Sequence, residues 1–202
     1  MALTSSELIL ASASTARAGL LAAAGVAFRV APAAIDEAAL KRAFRADRRA
    51  ASECSLALAE AKARWVSQRE PRALVVGADQ ILVSAGEWFD KPADLGAARA
   101  QLQALRGRTH VLATAACVAL AGERVWHIEV GPRLSMRCFS DAFLDDYLAA
   151  EGAALLGAVG AYRLEARGVQ LFDRVEGDHF AILGLPLIEL LGFLREFGAI
   201  SA

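Results

Sequence analysis

A mixed α/β domain is the fold class predicted by this sequence, on three observations. Short apolar runs with strand character alternate with stretches of helical periodicity. Turn and cap residues fall at their borders. No long linker, low-complexity tract or internal repeat interrupts the alternation. At roughly 150 residues per domain, 202 residues suit a single domain spanning 1–202, long enough to bury a sizeable core.

The elements follow in order. Leu8–Ala11 is a short apolar strand. After Ser12-Ala13-Ser14 a helix runs through Leu20–Ala24, and Gly25 terminates it. Ala27–Val30 is a second strand, stopped by Pro32. Asp36-Glu37 opens a charged helix to about Arg49, and a longer helix covers Ser52–Ser67. Ala73–Gly77 is a buried strand, with Asp79-Gln80 directly after it and Ile81–Val83 as its continuation before the Ser84-Ala85-Gly86 turn. Asp94 caps a helix through Leu105 that Gly107 ends. His110–Leu120 and Arg124–Val130 flank the hairpin signal Ala121-Gly122-Glu123. Leu134–Phe139 is a strand, Ser140 caps a helix to about Ala150, and Val169–Val175 is a last strand before a Glu176-Gly177-Asp178 turn. Pro186 suits the first turn of a final helix ended by Gly198.

Composition excludes several classes. Hydrophobic residues make up 56% of the chain, against the pattern of a disordered protein. Lys+Arg 22 and Asp+Glu 23 leave a net charge of -1, with no general basic field for duplex nucleic acid or an anionic membrane. No uncharged apolar run approaches the ~18 residues of a membrane helix. Glu7, and the absence of Lys or Arg before Arg17, argue against a signal peptide. Cys54, Cys117 and Cys138 lie far apart and are expected to be buried small hydrophobes in a reducing, cytoplasmic setting.

Five places in the chain carry candidate chemistry. Ser12, Ser14 and Arg17 lie between a strand and a helix. Free N–H groups there attract phosphate, and Arg17 offers a two-pronged guanidinium. Their plain structural alternative is an N-cap with a solvated arginine. Asp79 follows an apolar strand, where a carboxylate binds a divalent metal or accepts a proton from water, or merely caps a turn. Glu37 is a second carboxylate, with helix entry as its alternative. Lys62 lies four residues after Leu58 and four before Val66, on the apolar stripe of its helix. A lysine there either meets a phosphate or carboxylate or snorkels past the core edge. Lys91 sits in a loop before Pro92. His110, His127 and His179 lack metal-ligand spacing and are expected to be structural or surface residues. Walker, nucleophile-elbow and dinucleotide fingerprints are absent from the sequence.

Taken in order, these segments resemble the Maf family of nucleoside triphosphate pyrophosphatases from Leu10 to Leu194. The matching pieces are Leu10-Ala11-Ser12-Ala13-Ser14 with Arg17, Ile35-Asp36-Glu37, Ala59-Glu60-Ala61-Lys62-Ala63 and Gly77-Ala78-Asp79-Gln80. Lys91-Pro92, Leu105-Arg106-Gly107 with His110, Gly160-Ala161-Tyr162 and Gly184-Leu185-Pro186-Leu187 complete the series. The resemblance implies an elongated mixed sheet flanked by helices, with two lobes around a cleft. It also implies hydrolysis of a nucleoside triphosphate to monophosphate and pyrophosphate. Asp79 matches the catalytic base, Lys62 and Lys91 its catalytic partners, and Ser12, Ser14 and Arg17 the phosphate-binding segment. Glu37 and Asp79 would hold a divalent metal, Mg or Mn. A nucleotide is the expected partner, and a homodimer is left open.

Three departures bear on the substrate. Ala16 replaces an arginine usual in the family. Gln80 stands where the pyrimidine-specific branch has threonine, and Glu165 where it has glutamine. Gln80 and Glu165 look like the branch that hydrolyses 7-methyl-GTP, while Ala16 fits neither branch well. Independently of the family, a carboxylate suits the two adjacent donors of a guanine edge and the positive charge of a 7-methylated purine. Glu165 has a surface pairing with Arg163 or Arg167 as its alternative. dTTP or UTP hydrolysis, and a non-catalytic nucleotide-binding role in cell division, are the competing readings.

Overall fold

A computed structural model describes residues 7–201. Its strands are β1 (Leu8–Leu10), β2 (Arg29–Val30), β3 (Leu74–Ser84), β4 (Glu87–Phe89), β5 (Thr109–Leu120), β6 (Glu123–Val130), β7 (Arg133–Met136) and β8 (Phe172–Glu176). The helices are α1 (Thr15–Ala23), α2 (Glu37–Ala46), α3 (Ala51–Ser67), α4 (Leu95–Leu105), α5 (Asp141–Glu151), α6 (His179–Ile182) and α7 (Leu187–Glu196). The strands form a mixed sheet in the order β2-β1-β3-β5-β7-β8, with β4 on β3 and β6 on β5. Mixed α/β architecture is therefore as the sequence predicts. Among the described residues no helix is long and apolar enough to cross a membrane.

The chain divides into two compact units. The first holds the residues up to Gln80, Thr114–Val130 and the residues from Asp178 onward. In it β1 lies parallel to both β2 and β3, and the end of β5 runs antiparallel to β6. Strand alternation sorts its core into two faces. Leu8, Leu10, Leu74, Val76, Ala78, Ala116 and Val118 pack with Leu21 of α1 and with Leu187, Leu190 and Leu194 of α7. Ile9, Ala11, Val75, Ala115, Cys117 and Ala119 pack with Ala59, Ala63 and Val66 of α3. Gly77 lies on this second face. A Cβ there would stand 2.1 Å from the Ala59 carbonyl oxygen, so the missing side chain lets α3 lie against the strand backbone.

The second unit holds Ile81–Ala113 and Gly131–Gly177. The β3–β4 connection passes through Ala85 and Gly86, both at positive φ (50° and 85°), a tight hairpin turn of the primed type. Leu102, Leu105, Leu134, Leu144, Tyr147, Leu155 and Leu171 are buried in it. His110 Nε2 is 2.8 Å from the Tyr162 hydroxyl, and both rings pack against Phe172.

Most borders agree with the sequence reading to within a few residues; three findings differ. β3 runs unbroken from Leu74 to Ser84, so Asp79 lies inside a strand rather than after one. The reason is that Ile81 and Leu82 are themselves buried and β3 goes on to pair with β4. The last strand begins at Phe172 rather than Val169, because Arg167–Leu171 coils into a 3-10 turn. Cys54 and Cys117 are buried, but Cys138 is exposed, beyond the end of β7.

Candidate active site

Lys62 is the hinge of the site in the first unit. It projects from α3 on the face that packs against β3, and it is only 7% exposed. Its Nζ donates to Asp79 Oδ1 at 2.7 Å and lies 3.0 Å from Glu37 Oε2. The close approach at Gly77 explains the pairing: Lys62 is one turn beyond Ala59 on α3, and Asp79 is two residues beyond Gly77 on the same face of β3. Glu37 enters as the first residue of α2, whose N-cap, Asp36, accepts from the Ala39 amide at 2.8 Å. The inward lysine thus has carboxylate partners, the first of the two alternatives its position allows.

Asp79 is 5% exposed, and its second oxygen, Oδ2, is buried without a hydrogen-bond partner. A buried acceptor left unpaired costs roughly 1–3 kcal/mol. One carboxylate oxygen is therefore fixed by a cation while the other stays open to a proton donor or a cation.

Arg17 is not a solvated helix residue: its side chain turns onto protein oxygens. Its Nε donates to the Gly184 carbonyl at 2.7 Å, and its Nη1 to the Ala78 carbonyl at 2.9 Å and Ser12 Oγ at 3.3 Å. Burial pushes its pKa down, against the charges of Asp79 and Glu37, which raise it. Nε and Nη1 are thus engaged by protein oxygens, so each edge of the guanidinium fork has one of its two donors already used. Among the described residues Nη2 makes no hydrogen bond. Gly184 is at φ 102°, and a Cβ there would meet Arg17 Nε at 3.3 Å. Ser14 Oγ caps α1 by accepting from the Arg17 amide, and Ser12 Oγ accepts from the Ser14 amide. Ala16 is exposed on α1.

Gln80 points to the face of β3 opposite Asp79. Its Nε2 donates to Thr114 Oγ1 at 2.8 Å, the Ala181 carbonyl at 3.0 Å and the Ile182 carbonyl at 3.2 Å. Three oxygens around one nitrogen fix the amide orientation and leave Oε1 as its unspent acceptor. Thr114 escaped the sequence reading; the available signal was a hydroxyl within the apolar run His110–Leu120.

Lys91 and Glu165 belong to the second unit. Lys91 is exposed in the loop between β4 and α4, where Gln101 Nε2 holds the Asp90 carbonyl at 2.8 Å. Glu165 is exposed, and its Oε1 accepts from Arg163 Nε at 3.3 Å, the surface pairing that was its alternative.

The sequence matches the family described as Maf-like protein over residues 7–197. It is 53% identical over 195 residues to a nucleoside triphosphate pyrophosphatase of Granulibacter bethesdensis, spanning 96% of this chain and 99% of the relative. A relative of the same description from Paramagnetospirillum magneticum is 54% identical over 190 residues, 94% of this chain and 98% of its own. A 7-methyl-GTP pyrophosphatase of Rhizobium meliloti is 46% identical over 195 residues, 96% of this chain and 98% of its own. Matched along nearly its whole length and similar throughout to these relatives, the chain belongs to the Maf family.

Proposed function

We propose that this chain hydrolyses a nucleoside triphosphate between its α- and β-phosphates, with 7-methyl-GTP as its preferred substrate and the whole chain working as one cytoplasmic enzyme domain. The observation that carries the reading is the Asp79 carboxylate: Oδ1 is held by Lys62, and Oδ2 is buried and unpaired. The relatives' activities support it.

In the proposed reaction a water oxygen attacks the α-phosphorus while Asp79 Oδ2 takes the water proton. The α–β bridging oxygen leaves with the pyrophosphate and keeps the bonding electron pair. Lys62 holds the Asp79 carboxylate in orientation through its contact with Oδ1. Ser12, Ser14 and the Nη2 of Arg17 serve the phosphates, and Lys91 offsets charge developing on the leaving group. Ala16 removes one cation from the phosphate-binding segment.

Glu37 and Asp79 offer hard oxygen donors, and the orphaned Asp79 Oδ2 fits a hydrated divalent cation such as Mg or Mn. Among the described residues no group of three or more His, Cys, Asp or Glu comes together, so phosphate oxygens and water would complete the shell. Such an ion, when bound, would offset phosphate charge.

Base selection is assigned to Glu165, as acceptor for a guanine edge, and to Gln80 through Oε1. The pairing of Glu165 with Arg163 favours a second reading, in which the base is not read by this carboxylate and dTTP or UTP is the substrate. A screen of pyrophosphate release from 7-methyl-GTP, dTTP and UTP decides between them. The highest kcat/KM is expected for 7-methyl-GTP; the highest value for a pyrimidine nucleotide installs the second reading, and no release from any of them removes both.

A further inference from the structure

Three side chains from three elements converge on one four-residue segment, Ala181–Gly184. Arg17 of α1 donates to the Gly184 carbonyl at 2.7 Å. Gln80 of β3 donates to the Ala181 and Ile182 carbonyls at 3.0 and 3.2 Å. Thr114 of β5 donates to the Ala181 carbonyl at 3.2 Å and accepts from Gln80 at 2.8 Å. Arg17 also holds the Ala78 carbonyl.

Asp79 lies between the two β3 residues tied in this way. Ala78 is held through its carbonyl, and Gln80 through its side chain from the opposite face of the strand. This is the stretch where β1 no longer supports β3, since their register ends at Leu10 opposite Val76. β5 remains the strand's hydrogen-bonded neighbour on its other side, and the ties to Arg17, Thr114 and Ala181–Gly184 add side-chain anchors at Ala78 and Gln80. Thr114 is fully buried and flanked by Ala113 and Ala115. Its hydroxyl both orients the Gln80 amide and anchors the carbonyl that the amide shares.

We infer that Thr114 is a positioning residue for Asp79, acting through the Gln80 amide. The inference rests on the reading that Asp79 accepts the water proton. Misplacement of a reacting group by about 1 Å can cost on the order of a hundredfold in rate. Valine replaces threonine in nearly the same volume without the hydroxyl.

The test compares the full-length wild type with Thr114→Val, Thr114→Ser, Gln80→Ala and the Thr114→Val/Gln80→Ala double variant. Ser67→Ala is the control: it removes another buried hydrogen bond of the first unit, accepted by Ser67 Oγ from the Gly122 amide at 3.0 Å. Pyrophosphate release from 7-methyl-GTP and hydrogen exchange at the Asp79 and Gln80 amides are both measured. Thr114→Val is expected to lower kcat about tenfold, to change KM less than twofold, and to speed exchange at both amides. Thr114→Ser should restore kcat, the double variant should lose no more than Gln80→Ala, and Ser67→Ala should do neither. A Thr114→Val enzyme with wild-type kcat, or with a change confined to KM or to the ratio between nucleotides, overturns the inference. If the wild type releases no pyrophosphate, the proposed function falls, and the exchange arm alone decides: faster exchange in Thr114→Val but not Ser67→Ala supports the coupling, and unchanged exchange overturns it.

Discussion

Gly77 and Ala59 stand in backbone contact: a Cβ on Gly77 would come within 2.1 Å of the Ala59 carbonyl oxygen and 2.8 Å of the Ala63 amide nitrogen. This contact sets the separation of α3 from β3, and with it the 2.7 Å approach of Lys62 to Asp79. Gly77→Ala must push the helix away against backbone atoms that cannot rotate aside. Overpacking of a tight core costs typically ~1–3 kcal/mol, and the upper end is expected here. Chemical denaturation should record that loss, with kcat falling as Lys62 withdraws. A variant of wild-type stability would mean that α3 yields freely at this point.

Lys62→Met keeps the stem of the side chain and removes its charge. Asp79 then remains buried with both oxygens unpaired, and Glu37 loses its partner. Breaking a buried ion pair from one side costs on the order of 3–5 kcal/mol, while pyrophosphate release should drop at least a hundredfold. Activity is to be read at a temperature where circular dichroism reports the variant folded. Retained turnover there would free Asp79 of any need for Lys62.

Burial lowers the pKa of His110 from 6.5 to about 4. Its neutral ring meets the Tyr162 hydroxyl, whose own ionisation burial also opposes. Between pH 6.5 and 4 the unfolded chain takes up a proton that the folded chain refuses. Stability contributed by the neutral ring is complete above pH 6.5 and is lost as pH falls, at up to about 1.4 kcal/mol per pH unit. The His110 ring protons in NMR should titrate near pH 4, and His110→Gln should flatten the stability profile below pH 6.5. Titration near 6.5 would contradict the burial argument.

The borders of α1, α4 and the β5–β6 hairpin were legible because each rests on a local signal. Ser14 and Asp94 cap, Gly25 and Gly107 adopt positive φ, and Ala121-Gly122 turn the hairpin. The 3-10 turns over residues 152–171 and the short α6 carry no comparable periodicity. In the site, Lys62 was legible as a candidate because a lysine on an apolar stripe either finds a partner or snorkels past the core edge. The uses of Arg17, Gln80 and Thr114 were not, because their acceptors are the backbone carbonyls of Ala78 and Ala181–Gly184, and a carbonyl carries no residue-type signal.

Glu165→Gln tests the base assignment. Turning one acceptor into a donor facing a guanine donor leaves groups unpaired at ~1–3 kcal/mol each. The kcat/KM ratio of 7-methyl-GTP to UTP should fall about tenfold or more. A ratio that does not move leaves Glu165 as the partner of Arg163 alone.

The proposed hydrolysis turns on the unpaired oxygen of Asp79 as acceptor of the water proton. Asp79→Asn is nearly isosteric and its amide oxygen can still accept from Lys62, but the amide has no carboxylate oxygen to take that proton. Loss of a general base is worth ~10²–10⁴-fold. The measurement is pyrophosphate release from 7-methyl-GTP by Asp79→Asn and wild type, with the fold of each confirmed by circular dichroism. A folded variant slowed by at least a hundredfold is the predicted result; a folded variant turning over at the wild-type rate would contradict it.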